Sequence, residues 1–79
     1  MGKQDWSKEI SQMMHDIRRE LVLEFGKSWR EADALIQKAK VYESLNENPL
    51  GLHESPYDWA LIVLTINRDT QALKEHYYA

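Results

Sequence analysis

Apolar positions along the chain recur at helical rather than alternating spacing. Trp6, Ile10, Met13, Met14, Ile17, Leu21 and Phe25 follow one another at three- and four-residue steps, which places them on one stripe of a helix over 6–25. Asp5 or Ser7 is suited to accept the first free N–H groups, and Gly26 to take the left-handed position that ends the helix. Ser28-Trp29-Arg30-Glu31 then reads as a capping box, with Ser28 and Glu31 satisfying each other's backbone donors. Behind it Ala32, Leu35, Ile36, Ala39 and Tyr42 form the stripe of a second helix over 29–45, with Leu45 just outside it. So short a connection predicts a tight helical corner or hairpin.

Residues 46–54 read as a loop. Asn48-Pro49 and Gly51 interrupt any helix, and Leu50 and Leu52 are expected to pin the loop to the core. Ser55-Pro56-Tyr57-Asp58 restarts one, with a serine cap, a proline in the first turn and an aspartate complementing the helix dipole. The run Trp59-Ala60-Leu61-Ile62-Val63-Leu64-Thr65-Ile66 has the β-branched content of a buried strand, but the cap and the lack of a partner strand favour a helix over 56–67. Polar Asn67-Arg68-Asp69-Thr70 then favours a break before a short helix over about 69–77, on which Leu73 and Tyr77 resume the spacing. The expected fold is all-α, a small three-helix bundle with a possible short fourth helix.

Two departures from simple amphipathicity point to an interface. The third helix is apolar nearly all round, so that Leu61 and Leu64 project away from a Trp59, Ile62, Ile66 stripe. On the first helix Val22 and Leu23 fall off the stripe while Glu24 falls on it, close to a C-terminus whose dipole disfavours a carboxylate. With Tyr77 and Tyr78 near the end of the chain, Val22, Leu23, Leu61 and Leu64 are the candidate contacts to a protein partner, with a second copy the expected one. Core packing competes for the same residues, as it does for Trp6, Trp29 and Trp59.

Length sharpens this picture. A chain of 79 residues makes one domain with a small core. It has no cysteine, which excludes a disulfide framework, a thiolate zinc site and a cysteine nucleophile. A domain this small without such staples must pack its helices well or associate.

Charge and chemistry remove most other functions. The net charge is −3 and no segment carries a strong basic excess, so the footprint of a phosphate-backbone binder is missing. Phe25-Gly26-Lys27-Ser28 nevertheless looks like the turn of a helix-turn-helix, which makes a DNA-binding regulator the alternative reading. Arg30, Gln37 and Lys40 on the second helix would then read bases, with Asp33 opposing phosphate on the same face. His15, His53 and His76 fall in three different elements, outside any HExxH pattern. The serines lack a GxSxG elbow, and glycines at 2, 26 and 51 make no phosphate loop. His53, Glu54 and Asp58 form the only polar cluster from which an enzyme could be argued, and loop or cap hydrogen bonding explains it as well. The reading is therefore non-enzymatic, with no cofactor and no metal. The longest apolar run, Trp59 to Leu64, is far short of a membrane span, and the first residues lack a signal-peptide run, so the expected location is the cytoplasm.

Overall fold

A computed structural model describes residues 5–78, with side chains as far as residue 74. Its elements are α1 (Ser7–Leu23), α2 (Trp29–Lys38), α3 (Val41–Glu47), a 3-10 turn (Pro49–His53), α4 (Pro56–Ile66) and α5 (Thr70–Tyr78). The protein is all-α, and α1 is the hub: it packs against α2, α3, α4 and the 3-10 turn.

The helix ends form where local chemistry directs them. Asp5 Oδ1 accepts the Ser7 N–H at 3.0 Å and opens α1. Beyond α1, Gly26 takes a φ of +68°, which costs glycine nothing. The Ser28–Glu31 capping box opens α2, with reciprocal bonds of 2.9 and 3.0 Å. At α4 the Ser55 hydroxyl accepts the Asp58 N–H at 3.1 Å, and Pro56 occupies the first turn.

The second helix does not run to residue 45. It ends at Lys38, and Lys40 adopts a left-handed φ of 54° before α3 begins. The reason lies in the side chains beyond the break. In an uninterrupted helix Val41 and Leu45 would point about 180° and about 140° away from Ala32, and Glu43 would fall on the buried stripe. The break turns Val41 and Leu45 inward to 1% and 0% exposure and leaves Glu43 and Tyr42 outside. Tyr42 is thus not part of the buried stripe.

The loop over 46–54 contains the 3-10 turn. Asn48 Oδ1 accepts the Leu50 N–H, and Pro49 follows at the first position. Leu52 packs against the core, whereas Leu50 is exposed and pins nothing. Gly51 lies against Trp59, whose Nε1 donates to the Gly51 carbonyl at 2.7 Å. A Cβ at Gly51 would stand 2.9 Å from both Leu45 Cδ2 and Trp59 Cζ2, so the turn can lie this close only without a side chain.

Between α4 and α5 the chain breaks at Asn67–Asp69, with Arg68 left-handed at φ 55°. Asp69 N–H bonds Leu64 O at 2.9 Å and Arg68 N–H bonds Thr65 O at 3.0 Å, the paired bonds of a Schellman motif. Asp69 then caps α5 by accepting the Ala72 N–H at 3.2 Å. Asn67 Nδ2 ties the same corner to α2 through Leu35 O, 3.0 Å away.

The buried set runs through every α-helix: Ile10, Met13, Ile17 and Leu21 of α1, Ala32 and Ile36 of α2, Val41 and Leu45 of α3, Trp59, Ala60, Val63 and Leu64 of α4, and Ala72 of α5. On α4 Trp59 is in the core as expected, but Leu64 changes places with Ile62 and Ile66. Leu64 is fully buried, and Ile62 and Ile66 stand outside at 38% and 53% exposure. The stripe that packs is Trp59, Ala60, Val63 and Leu64, on a helix that meets α1, α2 and α5.

Candidate functional site

The expected apolar interface is only partly on the surface. Leu23 is 64% exposed at the end of α1, whereas Val22 is half-buried and packs on the core. Leu61 is half-buried, and Leu64 is withdrawn from any interface by its burial. The side chains of Tyr77 and Tyr78 lie outside the described residues. The outward apolar pair on α4 is Ile62 and Ile66, which stand four residues apart and so side by side on one helix face. Sequence reading missed them because it assigned them to the core stripe. Glu24 is exposed, beyond the last turn of α1. Phe25 stacks on Tyr57 at a centroid distance of 5.9 Å, joining the α1 end to the start of α4.

Arg30, Gln37 and Lys40 are all exposed, but Lys40 lies in the left-handed break and not on α2. Asp33 is engaged with α1: Arg18 Nη1 is 2.8 Å from its Oδ1. The same guanidinium lies over the Trp29 ring at 5.5 Å from its centroid, and its Nη2 is 3.2 Å from His15 Nδ1. An aromatic face and a carboxylate thus hold one arginine between α1 and α2.

A second polar link ties the α1–α2 corner to the α4–α5 corner. Lys27 forms an ion pair with Asp69, both side chains less than one-fifth exposed. The Lys27 ammonium holds the Asp69 carboxyl below its ordinary range, and the Ala72 N–H adds to the effect. Glu31 is lowered by the Ser28 backbone N–H and then by the Ser28 hydroxyl; Asp5 is lowered in the same way by Ser7. These carboxylates cap helices and tie elements together, which accounts for their shifts without catalysis.

His53, Glu54 and Asp58 lie at the end of the 3-10 turn and the start of α4. Each is exposed, and the Asp58 backbone N–H serves the Ser55 cap. Among the described residues no group of three or more histidine, aspartate or glutamate side chains is placed to hold a metal ion. Nor is any helix there long and apolar enough to cross a membrane.

What the sequence did not reveal is a groove of about 360 Å³ where the 3-10 turn lies along the first half of α1. One wall is the α1 face carrying Trp6, Glu9, Gln12, Met13 and Asp16, and the other is Pro49, Leu52 and His53. Gln12 Nε2 donates to Asp16 Oδ1 at 3.0 Å. A smaller groove of about 230 Å³ lies beside the Lys27–Asp69 pair, bounded by Glu31, Leu35 and Lys38.

No protein-family model, curated protein or solved structure matches this chain.

Proposed function

We propose that this protein acts by protein–protein contact, without catalysing a reaction, and that it self-associates through the outer face of α4. The observation that carries the reading is the pair Ile62 and Ile66, left 38% and 53% exposed on a helix whose opposite side, Trp59, Ala60, Val63 and Leu64, is buried. Apolar side chains set side by side on a small domain are surface that a partner would remove from water. Leu23 at 64% exposure adds apolar surface at the end of α1, and half-buried Val22 and Leu61 add to what a contact could cover. The absence of cysteine fits residence in the reducing cytoplasm.

The experiment is sedimentation velocity across the micromolar range. The expected species is a dimer or larger, against a chain mass of 9.3 kDa. The Ile66→Glu variant should sediment as a monomer with its helical circular dichroism intact. A wild-type monomer at every concentration would remove self-association and leave a different protein as the partner. The DNA reading has one observation in its favour, that Arg18 pairs with Asp33 and offsets a carboxylate of α2. Sequence-selective duplex binding at about 50 mM salt, steeply weakened by added salt and lost in Arg30→Ala, would replace the present proposal with that one.

A further inference from the structure

We propose that the groove between α1 and the 3-10 turn is a docking site for an arginine side chain from a basic segment of another protein. This does not depend on the self-association proposed for α4. Its volume, about 360 Å³, lies at the small end for ligand sites and admits one long side chain with room for water beside it. The groove offers two kinds of surface. Buried Met13 and half-buried Leu52, Pro49 and Trp6 supply apolar contact for methylenes, while the carboxylates of Glu9 and Asp16 supply negative charge beside it. No lysine or arginine among the described residues lines it.

Arginine fits this combination because its guanidinium stacks on indole faces while still donating to carboxylates. The protein already uses the same parts internally, where Arg18 lies over Trp29 and pairs with Asp33. At the groove the corresponding parts are Trp6 with Glu9 and Asp16. Charge complementarity decides the source. At the groove the Glu9 and Asp16 carboxylates attract a basic segment and oppose the same acidic face of a second copy. The same carboxylates repel a nucleic-acid backbone.

The test is an NMR titration of the full chain with a blocked Ala-Arg-Leu-Arg-Ala peptide, read at the Trp6 indole N–H and the Leu52 methyls. Replacing both arginines by citrulline keeps the shape and removes the charge. The expected result is saturable shifts at both reporters and affinity about tenfold weaker for the citrulline peptide, from loss of the ion pairs and the cation–π contact. Glu9→Gln and Asp16→Asn should each weaken binding about threefold. Should Asp16→Asn fail to fold, Glu9→Gln and the loss of affinity on raising salt from about 50 to 500 mM carry the same decision. Equal binding of the citrulline peptide would make the groove an apolar slot and overturn the proposal. So would an absence of shifts at Trp6 with millimolar arginine peptide, or shifts confined to Trp29. A change in sedimentation of the peptide-free protein in Glu9→Gln would assign the groove to a second copy and overturn the choice of partner.

Discussion

Trp59 joins α4 to the 3-10 turn. It sits in the first turns of α4, is 9% exposed, and holds the 3-10 turn by donating to the Gly51 carbonyl. Truncation to alanine removes that bond and opens a cavity between α4, Leu45 and the turn. The Trp59→Ala variant should lose about 3–5 kcal/mol, enough to unfold a domain of marginal stability. Ser55→Ala removes only the cap of the same helix and should cost about 1 kcal/mol. Urea melts of the two variants separate these effects. A Ser55→Ala curve that overlays wild type would mean that the bond to the Asp58 N–H contributes nothing.

At the scale of elements, two of the three left-handed helix ends are made without glycine. Lys40 ends α2 and Arg68 ends α4, both with φ near +55°. A side chain in that conformation costs about 1–2 kcal/mol, and glycine avoids most of it at the expense of extra chain entropy when unfolded. Lys40→Gly should therefore stabilise the protein by roughly 0.5–1 kcal/mol, measurable as a later urea midpoint. A lowered midpoint would contradict the left-handed break that turns Val41 and Leu45 inward.

The α4–α5 corner has its own signature in pH. Asp69 is held ionised below its ordinary range by Lys27 and the Ala72 N–H. A carboxyl whose folded pKa is depressed contributes stability that is complete above the unfolded value, about 3.9, and is lost as pH falls through the folded one. Stability should stay level from neutral pH to about pH 5 and decline below about pH 4. In Asp69→Asn part of that decline should vanish, because asparagine keeps the cap but not the charge. An acid limb as steep as wild type would assign the decline to Glu31 and Asp5 alone.

Across the whole molecule the described core holds only hydrophobic side chains, and the charged links lie around it. Charges therefore tie elements together at the margins while apolar packing supplies the main stabilisation. Association through Ile62 and Ile66 would couple stability to concentration. For a folded dimer, a hundredfold rise in protein above its dissociation constant adds roughly 1 kcal/mol per chain and raises the melting temperature by several degrees. Calorimetry over that range checks the whole-molecule consequence of the α4 contact. A constant melting temperature agrees with a monomer.

The local signals were legible from residues alone. Ser28 with Glu31, Ser55 with Pro56 and Asp58, Gly26 after α1 and polar Asn67–Thr70 all act within a few positions, so chain order already contains the partners. The α1 stripe was legible too, because polar residues on its other faces leave one side to bury. On α4 no such contrast exists, and periodicity cannot choose between Ile62–Ile66 and Val63–Leu64. Only contact with α1, α2 and α5 selects the latter for the core. The break at Lys40 has no proline or glycine to announce it; the gain from burying Val41 and Leu45 offsets its backbone cost. The groove is a tertiary product as well, since Trp6 and Glu9 meet Leu52 and His53 only when the 3-10 turn folds back along α1, held there by Trp59 and the missing side chain of Gly51.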